Sequence, residues 1–298
     1  MQVLSGTYQL KVAAMTHSPS AAVRGHPEPL ISASLDSPEL AAAYDRLGIV
    51  QFEHGKQLVA LLQIAPGEKV LDIGAGTGRL AAYVADIVGV GGRVVAVDPL
   101  PLRVDVARTR AARQFEVKVG RAEDLSAFRD GSFDAVYLNS VFHWIEDKSR
   151  ALAEIYRVLR PGARFGVNCH DPRRPHQLRL LVRDAMIAAR SEMAAEAGYP
   201  SLGISEAELT DQIRAAGFVE LASEQRTFVD IFPDAKAVLG WASSSTFGNF
   251  LSGNSNADRN CIIEMLGGLL EAKRGPDGIR LERYLTFATA RKPLNFLE

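Results

Sequence analysis

Cysteine is scarce in this chain, with only Cys169 and Cys261 among 298 residues. That excludes a disulfide framework and a cysteine zinc site, and it points to a reducing, cytoplasmic setting. No apolar run approaches the ~20 residues that a bilayer-spanning helix needs, so no membrane association is expected. Charge of one sign is lacking as well. The formal net charge is −1 and no long basic block occurs, which leaves no electrostatic case for a nucleic-acid partner. Arg103, Arg108, Arg110 and Arg113 recur along one predicted helix and read as a solvated face. No set of histidines and carboxylates stands at metal-ligand spacing, so no metal is expected. What remains is a chain of 47% apolar content, ample for one α/β domain with additions. Nothing in it signals an oligomeric state.

The stretch that organises the chain is VLDIGAGTG, Val70 to Gly78. An apolar run long enough for one buried strand ends in glycines at alternate positions, Gly74, Gly76 and Gly78. The pattern predicts strand, tight loop and helix, with a loop whose backbone a ligand can approach because no Cβ intervenes. A second strand, RVVAVD, ends in Asp98, where a carboxylate at the tip of a βαβ unit is placed to take the hydroxyls of a ribose. A nucleoside is therefore the expected ligand. The dinucleotide fingerprint would need its third glycine at position 79, which is Arg79. Strands and helices alternate from there: EVKVG at 115–119, FDAVYLN at 133–139, a helix on Ala151, Leu152, Ile155, Val158 and Leu159, and a fifth strand running to Cys169.

The run D-x-G-x-G-x-G from Asp72 resembles motif I of the class I S-adenosylmethionine-dependent methyltransferases, and residues 133–165 resemble the same family. The likeness covers about residues 40–170, and its relatives in kind include the ubiquinone/menaquinone C-methyltransferases and the malonyl-carrier-protein O-methyltransferases. It implies an α/β, doubly wound, Rossmann-like seven-stranded sheet with an antiparallel last strand and a helical insertion before it. It implies S-adenosyl-L-methionine as cofactor and a small-molecule acceptor whose reacting atom is undetermined. Gly74, Ala75, Gly76 and Gly78 would form the cofactor turn, Asp72 would meet the ammonium, and Asp98 the ribose. Ala122 and Glu123 would approach the adenine, with Arg121 standing where many members carry an aspartate and Glu123 or Asp124 left as the acid. Asn139, at the tip of the fourth strand, completes the cofactor set.

Residues 1–37 read as a loosely attached N-terminal extension and 38–298 as the methyltransferase domain. From Pro38 to Ile64 the spacing is helical, with Tyr44, Gln51 and His54 as candidates to face cofactor or acceptor. In SVFHWIED, Phe142 and Trp144 fall at the crevice beyond a strand end and are expected to line the acceptor pocket. His143 is the best-placed general base for an acceptor that must lose a proton, with His170 second. Helices are predicted over 101–113, 176–197 and 205–217, the last opened by a Ser205/Glu208 capping box. FVELASEQRTFVDIF and ERYLTFATARKP are the sixth and seventh strands. Between them residues 234–275, with Trp241, Phe247, Phe250 and Gly240, Gly248, Gly253 and Gly267, read as a mobile cap over the acceptor. A nicotinamide-dependent oxidoreductase and a non-methylating S-adenosylmethionine-binding protein are the alternative readings.

Overall fold

The computed structural model describes residues 32–111, 115–189 and 202–294, all within the unit of residues 31–298. Five strands alternate with helices: β1 Lys69–Ile73, β2 Arg93–Asp98, β3 Phe115–Val119, β4 Phe133–Asn139 and β5 Leu159–Cys169. β1, β2 and β4 are mostly apolar because parallel strands in the middle of the sheet are covered on both faces. In β4, Ala135, Val136, Tyr137 and Leu138 are all buried. The connecting helices are α3 Arg79–Val88, α4 Pro101–Arg108 and α5 Lys148–Val158. α3 buries Leu80, Ala81, Val84 and Val88, one stripe of a 3.6-residue period. α5 is started by Asp147, whose side chain accepts from the Arg150 amide.

β6 Val219–Phe232 and β8 Gly278–Arg291 complete the sheet in the order β3-β2-β1-β4-β5-β8-β6, with β8 antiparallel to both neighbours. A two-residue β7, Arg274–Gly275, pairs with β8 at the hairpin end, an addition to the seven strands expected. The expected α/β sheet with an antiparallel last strand is thus present. β6 and β8 continue past the tip of β5, where Cys169 pairs with Thr286, and carry their register on to Phe232↔Ile279. This overhang is the floor for three helices: α6 Gln177–Ala188, α8 Ala235–Ser245 and α9 Asn256–Glu271. They enclose their own apolar cluster, which includes Leu178, Val182, Trp241, Leu266 and Leu281. α7 Glu206–Ala215 carries the expected capping box, with Ser205 and Glu208 bonded reciprocally.

Several boundaries differ from expectation. The helical stretch from Pro38 breaks at Gly48 into α1 Pro38–Leu47 and α2 Ile49–Leu62. α4 ends at Arg108, five residues early, and α6 ends at Ala188, while residues 190–201 lie outside the described residues. The expected solvated arginine face is not one. Arg103 is buried against Asp36 at 3.3 Å and Arg110 pairs with Asp45 at 2.6 Å, so only Arg108 of the described three is solvated. Residues 32–37 are likewise not loosely attached. Ser32 and the Asn249 side chain bond each other twice, and Asp36 holds Arg103, so the packed domain begins before Pro38. Among the described residues, no helix is long and apolar enough to cross a membrane and no cluster of histidine, cysteine or carboxylate side chains is arranged to hold a metal ion.

Candidate active site

The loop between β1 and α3 turns on glycines. Gly74, Gly76 and Gly78 take φ of +75°, +55° and +76°, the left-handed region that side chains disfavour. Gly74 also lies so close to the β4 exit that a Cβ would sit 2.2 Å from Val141. Backbone bonds from Gly74 and Ala75 to the Val97 carbonyl (2.8 and 3.1 Å) pin the loop to β2. The Asp98 carboxylate finishes the anchoring, accepting from Gly76 N at 2.8 Å and Leu100 N at 2.9 Å. Gly78 plays a different part. Its missing Cβ leaves room for Ala107 and Phe115, 2.9 Å away, so it packs α3 against α4 and β3 and does not face the cleft.

Beside this loop opens a cleft of about 410 Å³, measured out to its mouth, lined by Tyr44, Gln51, Asp72, Ala75, Asn139 and neighbours. Asp72 is almost wholly buried, and the Tyr137 hydroxyl donates to it at 2.8 Å. Burial pushes its carboxyl up to about 7, against the pull of that hydrogen bond, and Asp98 adds to the rise. No cation is among the groups acting on it. Asn139 donates to the Gln51 carbonyl at 3.0 Å and accepts from Asn168 at 2.8 Å, which locks the β4 tip to α2 and β5.

A roof covers the Asp98 side. Tyr44 lies 3.1 Å from where a Gly76 Cβ would be, and Arg103 stacks over its ring at 4.4 Å. Arg103 in turn donates to the Ser244 carbonyl and faces Phe247. The turn after α8 sits here, with Phe247, Gly248 and Leu251 all at positive φ, and Trp144 meets Phe247 edge-on at 5.3 Å. The predicted Tyr44 lines the cleft, while Trp144 is half-buried against Phe247. Ala122 is packed in the core beneath it, and Glu123 is half-buried in the turn after β3, its carbonyl held by Arg150.

Two predicted acceptor contacts lie elsewhere. Phe142 is fully buried in the core between the sheet and α5, because the 3-10 turn Phe142–Trp144 points alternate rings inward and outward. Trp241 is buried among Phe232, His176 and Arg283, and its indole N–H donates to Gln51 at 3.0 Å, so it braces the cleft wall from behind. Two of the four cap glycines, Gly240 and Gly267, are inside α8 and α9 and are not hinges. Phe250 is buried in the same apolar cluster as Trp241. His54 turns away from the cleft toward Asp230 at 3.4 Å.

The His143 and His170 rings lie with centroids 4.3 Å apart, tilted by 60°. Burial first, then His170, Arg283, Lys148 and Arg179, hold the His143 imidazole well below its usual range. His170 is pushed down to about 3 by burial and by Arg179, Arg283 and His176. Such imidazoles are neutral at physiological pH and accept a proton poorly, which argues against the expected general-base role. A buried ionic group missed in the sequence lies alongside. Asp230 accepts from Arg283 Nε at 2.6 Å, with His54 and His176 at 3.4 and 3.6 Å. The signal was there: Phe228, Asp230 and Phe232 alternate on one face of β6, and Leu281, Arg283 and Leu285 on one face of β8, so each strand carries a charge on its inward face.

The comparisons agree with this geometry. Residues 71–167 match the family model described as a methyltransferase domain. Nocamycin O-methyltransferase of Saccharothrix syringae is 31% identical over 225 residues, which cover 69% of this chain and 79% of that protein. The malonyl-[acyl-carrier protein] O-methyltransferase of Serratia marcescens is 36% identical over 122 residues, 41% of this chain and 46% of that protein; the chain spans under half the length of several curated relatives. Among solved structures, the YcgJ protein from Bacillus subtilis superposes with a TM-score of 0.56 at 20% identity, covering 81% of this chain and 99% of that one, which shows the shared fold. The fold and the glycine turn define a class I, Rossmann-like methyltransferase. The chain belongs to the S-adenosylmethionine-dependent methyltransferases, and S-adenosyl-L-methionine is its cofactor. The residues present suit that group: the turn presents the small residues Gly74, Ala75 and Thr77 to the cleft, and Asp72 is a buried carboxylate on its wall that an ammonium would complement.

Proposed function

We propose that this methyltransferase acts on a small-molecule acceptor enclosed in the crevice between the glycine turn and the roof formed by residues 32–36 and 246–251. The observation that carries this reading is the roof itself. Tyr44, Arg103, Phe247 and Trp144 are tied to one another beside the glycine turn, an arrangement that favours a compact acceptor. The names of two relatives, nocamycin O-methyltransferase and trans-aconitate 2-methyltransferase, support it.

Bound S-adenosylmethionine supplies an electrophilic methyl group on a positively charged sulfur. The protein's part is to hold donor and acceptor in line, which is worth on the order of 7–11 kcal/mol when geometry is good. Asp72 would pair with the ammonium, Gly74, Ala75 and Gly76 would carry the nucleoside along a turn of small residues, and Asp98 would use its remaining lone pairs on the ribose. Ala122 and Glu123 would border the adenine, and Asn139 would fix the wall next to the methionine end. Tyr44 and Trp144 would contact the acceptor, with residues 234–275 as its cap. Two unpaired cysteines, one of them buried, fit a cytoplasmic enzyme. Incubating the protein with methyl-labelled cofactor and extracts of its source, followed by mass spectrometry, should place the label on a small molecule. Label on protein or RNA would overturn the reading, and retention of label in intact cofactor would favour a non-methylating role.

A further inference from the structure

Gln51 is a buried residue of α2, yet it lines the cofactor cleft together with Asp72 and Asn139. Its amide has a fixed orientation. An indole N–H can only donate, and that of Trp241 donates to Gln51 Oε1 at 3.0 Å, so Nε2 is the end that faces away from the indole. That nitrogen donates to none of the described residues and is not sealed inside the protein, so its N–H groups open on the cleft. Its place relative to Asp72 follows from the sheet. Asp72 is in register with Tyr137 and accepts from its hydroxyl, and Asn139 lies two residues further along the same face of β4. The Asn139 amide donates to the Gln51 carbonyl at 3.0 Å. Two residues of strand span about 6.5 Å, so the Asp72 carboxylate and the Gln51 amide look onto one small volume.

We propose that Gln51 binds the carboxylate of the cofactor's amino-acid tail through Nε2, with Trp241 as the positioning residue that holds the amide in that orientation. The proposal rests on the reading that sets the tail's ammonium on Asp72. Ammonium and carboxylate share one carbon, so the group that holds the second must stand close to the group that holds the first. Other polar groups on the wall are committed. Asn139 spends its amide on Gln51 and Asn168, and Arg79, the cation among the lining residues, donates to the Asp45 carbonyl. Charge favours a neutral donor as well. Sulfonium, ammonium, carboxylate and an ionised Asp72 sum to zero, whereas a guanidinium in place of the amide would leave a buried positive charge in excess. Holding the amide one way is worth about twofold in affinity at most, since an amide free to turn over would still face the tail half of the time.

Titration calorimetry on the full chain tests this with two probes, S-adenosylhomocysteine and its decarboxylated analogue, which keeps the ammonium and lacks only the carboxylate. The wild-type protein should prefer S-adenosylhomocysteine by roughly tenfold or more, as expected for a hydrogen bond to a charged group. Gln51→Leu should remove that preference by weakening S-adenosylhomocysteine alone. Gln51→Glu keeps an acceptor for the Trp241 indole and so keeps the wall intact, but it sets a like charge beside the carboxylate and should reverse the preference. Equal affinity of the wild-type protein for the two probes would overturn the proposal, whether or not either variant folds. An equal loss for both probes in Gln51→Glu would overturn it too, by making Gln51 part of the wall and no more. So would a Gln51→Glu protein that binds S-adenosylhomocysteine like wild type but no longer transfers label to extract small molecules, which would assign the amide to the acceptor. Failure of the wild-type protein to bind either probe would instead remove the cofactor placement on which the proposal stands.

Discussion

The Asp72 side of the crevice and the Arg283 cluster behind its wall meet at Gln51, yet they are built by opposite means. On the Asp72 side one contiguous stretch, residues 70–78, supplies strand, turn and helix start, and it is tied to β2 by backbone bonds and by the Gly76 amide held by Asp98. On the Arg283 side the groups come from α2 (His54), the β4 exit (His143), the start of α6 (His176), β6 (Asp230) and β8 (Arg283). A site made of backbone tolerates change in the side chains around it. A cluster assembled from five segments can be altered by changing any one of them.

The sharpest way to break this comparison is at its junction. Trp241→Ala should cost about 3–5 kcal/mol of stability, since it removes a buried aromatic from the α6–α8–α9 cluster and unpairs Gln51. Denaturant unfolding measures that loss, and the folded fraction should bind S-adenosylhomocysteine within about twofold of wild type. A large loss of cofactor affinity with normal stability would show that the two sides are not separable and would return Trp241 to the crevice surface.

The same contrast explains what the sequence revealed. The glycine spacing, the acid at the end of RVVAVD and the apolar run of β4 are local patterns, and the strand order and the Asp72–Asp98 pair follow from them. The Arg103–Asp36 and Arg110–Asp45 pairs span 67 and 65 residues, so a helical arginine stripe looked solvated when its partners were far away in the chain. Phe142 and His143 are adjacent, and which of them reaches the crevice depends on the phase of a three-residue turn that composition does not fix. Asp230 and Arg283 were detectable by alternation, but their neighbourhood with His54 and His176 required the overhang of β6 and β8 beyond β5.

On the cofactor side, Asp72→Ala should weaken S-adenosylhomocysteine binding roughly 100-fold, about 3 kcal/mol, as expected for loss of a buried charge partner. Arg283→Gln should leave that constant unchanged by calorimetry, so a parallel loss in both variants would contradict the division. Asp98→Ala carries a double effect. It should lower affinity about tenfold, and it also strips Gly76 N and Leu100 N of their acceptor, at about 1–3 kcal/mol of stability for each buried donor left unpaired. Thermal melting without ligand separates the two, since a residue serving only the ribose would leave the ligand-free melting temperature alone.

The smallest effect expected concerns pH and belongs to Asp72 alone. In the ligand-free protein its carboxyl is raised to about 7 by burial, so below that pH it is mostly protonated. An ammonium placed beside it favours the carboxylate and lowers its pKa in the complex. Binding below pH 7 must therefore expel a proton, and affinity should fall toward tenfold for each unit of pH, reaching about tenfold at pH 6 relative to pH 8. For folding the sign is reversed. A raised carboxyl favours the folded state only while protonated, so at this residue the ligand-free protein loses stability as pH rises from about 4 to about 7. The stabilisation given by S-adenosylhomocysteine should accordingly widen over the same window. Titration calorimetry in two buffers of different ionisation enthalpy should count close to one proton released at pH 6 and almost none at pH 8, and Asp72→Asn should release none at either. Because burial holds the His143 and His176 imidazoles well below their usual range, their substitution should leave the proton count as it is. A count that changed with His143→Gln would mean that the Arg283 cluster titrates with the cofactor, and the two halves would then have to be treated as one electrostatic unit.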